Sequence, residues 1–242
     1  MKAMILAAGK GARLGKITEK IPKALVDING KTILQLAVEK CTGAGFGEII
    51  VNVHHLADIV EKEILRLNKS GYSIIVSDER ENLLETGGGL FNARHFFDDE
   101  PFLLYNVDII TDFDLSAMLE YHLKMKGMAT LAVRNREGNR FFLVNGNGLL
   151  HGWCNRSTGE RIIARDSGNK LEEIAFSGVH IINPEIFNFM EEGTYSLTSL
   201  YLKLAQDLNI YTYRHEQGYW FDIGTPESLK QVKRIFSDKR RK

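Results

Sequence analysis

The segment Ala7-Ala8-Gly9-Lys10-Gly11-Ala12-Arg13-Leu14-Gly15 follows directly on an apolar run, and Lys23 comes soon after it behind Pro22. A buried strand that opens into an amide-presenting loop, with cations close by, is what a polyphosphate needs. Gly9 and Gly11 let backbone N–H groups approach phosphate oxygens without a Cβ in the way. Arg13 and Lys23 then offset the charge. The chemistry these residues point to is nucleotide binding.

Better-known glycine motifs fail on spacing. A P-loop has four residues between its first Gly and the Gly-Lys pair, followed by Ser or Thr. Here five residues separate Gly9 from Gly15-Lys16, and Ile17 stands where the hydroxyl belongs. A dinucleotide fingerprint needs Gly three positions after Gly11, where this chain has Leu14. No kinase catalytic loop follows downstream.

The pattern that fits is Leu6-Ala7-Ala8-Gly9-Lys10-Gly11-Ala12-Arg13, then Pro22-Lys23-Ala24-Leu25. It continues through Asn52-Val53-His54-His55-Leu56, Glu85-Thr86-Gly87-Gly88-Gly89 and Asn106-Val107-Asp108, and ends at Trp220-Phe221-Asp222-Ile223-Gly224-Thr225-Pro226. With these blocks, in this order and over most of its length, the chain resembles the sugar-phosphate nucleotidyltransferases. The resemblance implies attack of a sugar 1-phosphate oxygen on the α-phosphorus of a nucleoside triphosphate, with release of pyrophosphate. It implies nucleotide contacts from Leu6, Ala8, Gly9, Gly11 and Arg13, and from the Glu85, Thr86 and Gly87 loop, whose backbone would face the base. Arg13 would stabilise the triphosphate, and Lys23 would contact the α-phosphate or the incoming sugar phosphate. Asp108 and Asp222 match the acids that hold Mg2+, the expected cofactor, so Arg13, Lys23 and Asp108 form the expected catalytic set. Asn106 and Gly178 would contact the sugar phosphate, with Arg140 and Glu173 as further candidates. The family usually has Gly before the metal-binding acid, where this chain has Val107; valine favours β geometry, so the strand is expected to extend by one residue with Asp108 still pointing inward. The Ala-Ala-Gly form of the first block resembles the uridylyl and cytidylyl members, and other blocks resemble short members acting on N-acetylmuramate 1-phosphate or mannose 1-phosphate. UTP is therefore the expected donor. A cytidylyltransferase acting on a non-sugar phosphate such as phosphocholine, and a silent nucleotide-sugar sensor, remain alternatives.

Other residues read as structural. His54 and His55 have no Cys, Ser or acid at matching spacing and read as helix-entry packing, with Asn52 the better ligand candidate. Asp114 reads as a helix cap, and Asn183-Pro184-Glu185 and Thr225-Pro226-Glu227 as helix starts.

Strands alternate with amphipathic helices up to about residue 134: strand runs at 3–8, 48–53, 73–77, 102–105 and 128–133, helical spacing between them, and a short helix at 88–96. This order predicts an α/β fold, Rossmann-like, with a mostly parallel sheet and helices on both faces. Such sheets bind ligands at the carboxyl ends of their strands, where the glycine loop, Asn52, Glu85 and Asp108 fall. Beyond residue 134, short strands at 140–144, 149–153 and 171–176 alternate with Gly- and Asn-rich turns. The expectation is one unit of 1–242, with a nucleotide-binding half (1–134) and a sugar-binding lobe with C-terminal helices (135–242).

Composition narrows the partners. The 242 residues carry 31 basic and 31 acidic side chains, so neither nucleic acid nor an anionic membrane is expected as a partner. Cys41 and Cys154 are too few and too far apart for a metal or disulfide framework. Met1-Lys2 runs straight into the first strand, so no signal peptide and a cytoplasmic location are expected. Oligomeric state is not readable.

Overall fold

A computed structural model describes residues 1–166, 168 and 170–239. Strand β1 (Lys2–Leu6) is apolar after Lys2 because both of its faces are covered. Ala3 and Ile5 enter one core, and Met4 enters the core on the opposite face. Short strands β2 (Asp27–Ile28) and β3 (Lys31–Thr32) lead into helix α1 (Ile33–Gly43). Thr32 caps this helix, its hydroxyl accepting from Gln35 N at 3.1 Å. Then come β4 (Glu48–Val53), α2 (Ala57–Lys69), β5 (Ser73–Asp78), α3 (Glu85–Asn92), β6 (Phe102–Asn106), β7 (Ile109–Thr111), α4 (Leu115–Met125) and β8 (Ala129–Arg134). Asp114 caps α4 as expected, accepting from Ser116 N and Ala117 N. The second half adds β9 (Arg140–Val144), β10 (Leu150–Asn155), β11 (Glu160–Ile163), β12 (Glu172–Ile182), α5 (Leu197–Leu204), β13 (Ile210–Arg214), β14 (Trp220–Asp222) and α6 (Pro226–Lys239).

Among the described residues, one ten-stranded sheet runs through the molecule. β5, β4, β1 and β6 are parallel neighbours in that order. β12 pairs antiparallel with β6 and with β8, and β13 runs parallel to β8. β9, β10 and β11 extend antiparallel from the first part of β12. The sheet is thus mixed, and mostly parallel in its central part, from β5 through β6 and β12 to β8 and β13. Side chains of α1, α2, α4 and α6 fill the core on one face, and those of α3 and α5 the core on the other. β12 and β13, both beyond residue 134, complete this sheet, so the change of texture there does not divide it.

Some elements depart from expectation. α3 starts at Glu85 and ends at Asn92, followed by a separate 3-10 turn at Arg94–Phe96. β12 runs on past Ser177 and Gly178 by means of a register shift between Phe176 and His180, a bulge that the Ser-Gly pair disguised as a strand end. Asn183 precedes only a short 3-10 stretch, Pro184–Phe189, and its side chain donates to Gly127 O at 2.7 Å rather than capping. Thr225 does cap α6, accepting from Ser228 N at 3.2 Å. None of the described helices is long and apolar enough to cross a membrane.

Strand register sets the ends of β1, β4 and β6 side by side. Leu6, at the end of β1, lies beside Asn52 on one side and Asn106 on the other. The chain leaves β1 towards β4 and later returns on the β6 side, so a crevice opens where the winding reverses.

Burial also sets an acid limit on stability. His180 is hydrogen-bonded to the Tyr201 hydroxyl at 2.9 Å, and burial pushes its pKa down to about 3. The unfolded chain takes up this proton near pH 6.5, whereas the folded one does not until about pH 3. Stability is therefore fully present above pH 6.5 and falls on acidification, with His180 contributing a slope of ~1.4 kcal/mol per pH unit. Urea unfolding between pH 7 and pH 5 should show this slope on top of that from His122 and His215, whose pKa values burial also lowers. A His180→Leu, Tyr201→Phe variant should lose the His180 share.

Candidate functional site

The crevice is a cavity of about 560 Å³. It is lined by the 6–13 loop, Lys23, Asn52, Leu83, Glu85, Thr86, the 106–108 turn, Ser196 and Gly224. Of the residues expected from sequence, the structure gathers Leu6, Ala8, Gly9, Gly11, Arg13, Lys23, Glu85, Thr86, Asn106 and Asp108 around this one space.

Asn52 has a different job from the one expected of it. Its Oδ1 accepts from Ala7 N at 2.6 Å and Ala8 N at 3.3 Å, and its Nδ2 donates to Glu79 Oε1 at 2.8 Å. Glu79 Oε2 in turn accepts from Leu84 N at 3.4 Å. Asn52 is therefore committed to the protein, and so are the first two amides of the loop. What remains for an anion is the stretch from Gly9 onward. Thr18 holds the far end of that stretch, its hydroxyl donating to Gly11 O and Gly15 O. Glu79 is buried, and burial raises its pKa while the Asn52 hydrogen bond opposes the shift. His54 lies 2.7 Å from Glu79 O through Nδ1, a packing contact at the entry to α2. Nothing local in sequence marks Glu79, because Asp78-Glu79-Arg80-Glu81 reads as a solvated charged run.

The charged groups meet on the other side of the cavity. Lys23 Nζ pairs with Asp108 Oδ2, and both groups are largely buried. Asp222 arrives from β14, which pairs antiparallel with β7 and places Asp222 opposite Ile109. The Ile223 N–H donates to Asp108 O at 2.9 Å and ties the two segments together. Arg13 Nη2 lies 3.6 Å from Asp222 Oδ2. Asp222 Oδ1 is shut off from solvent and has no hydrogen-bond partner among the described residues. Burial, and after it the charge of Asp108, raises the Asp222 pKa. Two acids near enough for one to raise the pKa of the other, one with an unused buried oxygen, are the residues that could hold a cation. Among the described residues, no three acidic, His or Cys side chains cluster into an all-protein metal cage. Mg2+ does not need one: a carboxylate or two, substrate phosphates and water suffice.

Val107 does not extend β6; the strand ends at Asn106, and residues 107 and 108 form a turn. The valine fits there because its φ is not positive, and its N–H still reaches Leu6 O at 3.2 Å. Tyr105 fixes the turn from beneath, its buried hydroxyl donating to Ile109 O at 2.8 Å.

The loop at 85–87 corrects another expectation. The Gly87 N–H donates to Tyr195 O at 2.8 Å, and a Cβ on Gly87 would sit 2.5 Å from the Tyr195 ring. The glycine serves packing against the segment before α5, and it does not line the cavity. The Thr86 hydroxyl accepts from Leu197 N at 2.9 Å, so it too is engaged. Glu85 holds φ +59°, a left-handed conformation uncommon for a glutamate, at the cavity edge.

Two further candidates lie elsewhere. Glu173 accepts from Arg156 Nε at 2.8 Å and Arg161 Nη1 at 3.2 Å, and the Arg156 hydrogen bond leads in holding its pKa down. Arg140 is exposed at the start of β9, opposite Asn155. Neither lines the cavity. Gly178 sits just behind it in the bulge of β12, where a Cβ would press on Ile109 and Asn106.

Comparison with known proteins identifies the family. A family model described as "Nucleotidyl transferase" matches residues 2–239. The N-acetylmuramate alpha-1-phosphate uridylyltransferase of Caulobacter vibrioides is 30% identical over 93% of this chain and 93% of its own. The mannose-1-phosphate guanyltransferase beta-A of Xenopus laevis is 31% identical over 95% of this chain and 62% of its own. Among solved structures, a UDP-glucose pyrophosphorylase from Acinetobacter baumanii superposes with a TM-score of 0.78 at 17% identity, over 97% of this chain and 92% of that one. At that identity the likeness shows the fold.

Asn52→Leu should leave the Ala7 and Ala8 amides and the Glu79 carboxylate without their partner. A loss of ~2–4 kcal/mol is expected in urea unfolding; a loss below about 1 kcal/mol would mean that the bridge is incidental.

Proposed function

The chain belongs to the nucleotidyl transferase family, and from that premise we propose that it condenses UTP with a sugar 1-phosphate, yielding a nucleotide-diphospho-sugar and pyrophosphate. The observation that carries this reading is that Asp108, Lys23 and Arg13 line one cavity with the glycine loop, and that Asp222, outside the lining, adjoins them through Arg13 and the Ile223–Asp108 backbone bond. UTP is supported by the Ala7-Ala8-Gly9 form of that loop and by the uridylyl relative, which aligns over nearly its whole length.

Both reactants are anionic, so repulsion and alignment are the obstacles. Lys10, Arg13 and Lys23 line one cavity with the loop and supply positive charge along it. The backbone from Gly9 to Ala12 offers the remaining approach for phosphate oxygens. An oxygen of the sugar phosphate forms a bond to the α-phosphorus as the bond to the leaving pyrophosphate breaks. The attacking oxygen is already ionised at neutral pH, so no general base is needed. Asp108 and Asp222 would hold Mg2+, which when bound lowers the phosphate charge and orients the leaving group. Lys23, poised on Asp108, is placed to turn towards a phosphate. The silent-sensor alternative rested on Val107, whose φ is not positive and so asks for no glycine; pyrophosphate release separates the two readings.

The test is pyrophosphate release with magnesium, crossing UTP, CTP, GTP, dTTP and ATP with a panel of sugar 1-phosphates and phosphocholine. Release with UTP and one sugar 1-phosphate is expected, and Asp108→Asn should abolish it without loss of fold. Release with CTP and phosphocholine alone would overturn the assignment.

Gly224 offers a finer check. A Cβ there would lie 2.5 Å from Arg13 Nη2 and 2.8 Å from Asp222 Oδ1, so Gly224→Ala should push the exposed Arg13 aside and shift the Asp222 carboxylate with it. KM for the triphosphate should rise about tenfold, as one charged hydrogen bond implies, and Arg13→Ala on top should add little.

A further inference from the structure

Two cationic side chains near the site have unmet hydrogen-bonding capacity. Arg134 ends β8, opposite Ala175 of β12. Arg136 follows on the connection to β9, its guanidinium 4.6 Å from the centre of the Trp220 ring. Arg136 Nη2 donates to Phe176 O at 2.9 Å and Nη1 to Glu137 O at 3.0 Å. Its Nε, and Nη1 of Arg134, are shut off from solvent and have no partner among the described residues.

The surroundings hold this pair in place. The Trp220 Nε1–H donates to Ser177 O at 2.9 Å, which fixes the indole against the Arg136 guanidinium. Trp220 stands two residues before Asp222 on β14. Ser177 precedes Gly178, which packs on Asn106, and Asn106 lines the cavity. Burial disfavours the charge of Arg136, Asp222 supports it, and Arg134 opposes it. His215, 2.8 Å from Ser177 Oγ, is held neutral by burial first and by Arg134 second, so it adds no further positive charge. Two neighbouring guanidinium groups with buried N–H donors call for an anion. Their forked geometry suits a carboxylate or phosphate.

We propose that Arg134 and Arg136, backed by Trp220, form an anion subsite that binds an oxyanion of the acceptor substrate beside the Asp108–Asp222 centre. This rests on the nucleotidyltransferase reading above. The oxyanion is either the sugar's 1-phosphate or a carboxylate carried elsewhere on the sugar. Like Arg140 and Glu173, neither of these two arginines lines the cavity; what distinguishes Arg134 and Arg136 is that each keeps a buried donor without a partner among the described residues.

The test is steady-state kinetics of wild type, Arg136→Met, Arg136→Lys and Arg134→Met. Acceptors are N-acetylmuramate 1-phosphate and N-acetylglucosamine 1-phosphate, which differ by a carboxylate-bearing lactyl group, together with any other sugar 1-phosphate that the wild type uses. KM for the acceptor should rise about tenfold to a hundredfold in the Met variants, the range expected for lost hydrogen bonds to a charged group. KM for UTP should stay within about twofold, and Arg136→Lys should recover part of the loss. A rise for every acceptor identifies the 1-phosphate as the bound anion. A rise confined to the carboxylated sugar identifies the carboxylate. Unchanged acceptor KM, or an equal loss towards UTP, overturns the subsite. A wild type inactive on every pair ends the functional reading and the subsite together, whereas an active wild type with indifferent variants ends the subsite alone.

Discussion

The Asn52 side chain ties together the ends of three neighbouring strands, β1, β4 and β5, just where their backbone pairing stops. One carboxamide takes two amides of the glycine loop on its oxygen and gives its N–H to Glu79, which reaches on to Leu84. Ala7, Ala8, Asn52 and Glu79 are buried and Leu84 half-buried, so the buried members depend on one another for satisfied hydrogen bonds. The loop after β1 is thereby held at a set distance from the segment that leads into α3, and the cavity is the space between them. Glu79 can remain in such a place because its oxygens meet donors.

A second constraint works on the opposite wall. There the protein brings two acids together and separates them by loaning each a cation: Lys23 to Asp108, Arg13 to Asp222. The pairing is incomplete, since one oxygen of Asp222 has nothing to accept from among the described residues. Completing it from within the chain would have filled the place that the proposed reaction reserves for substrate charge. The unmet donors of Arg134 and Arg136 follow the same logic a short way off.

The alternation of strands and helices was readable because a buried parallel sheet imposes apolar runs, and its helices impose a 3.6-residue spacing, over many residues at once. The glycine loop and Asp108 were readable because their chemistry lies in contiguous residues. What escaped was what depends on distant partners. Gly87 looked like room for a base, yet a close approach asks for glycine whether the neighbour is a ligand or the Tyr195 ring. Glu173 looked free for a sugar, but its arginines come from either side of the β10–β11 turn. Ser177-Gly178 looked like the end of a strand, and only the pairing with β6 and β8 shows β12 continuing beyond it.

The order of strands has a consequence for when the site comes into being. β1 is made first, yet one of its neighbours is β6, about a hundred residues later, and Asp222 arrives only with β14. Pairings so remote in sequence form slowly, because a long loop must close before any contact rewards it. A chain growing from its N-terminus would possess the phosphate loop early and the acid pair last. Catalytic competence would therefore be the final property acquired during synthesis, so a nascent chain would hold no working site until nearly all of it had been made.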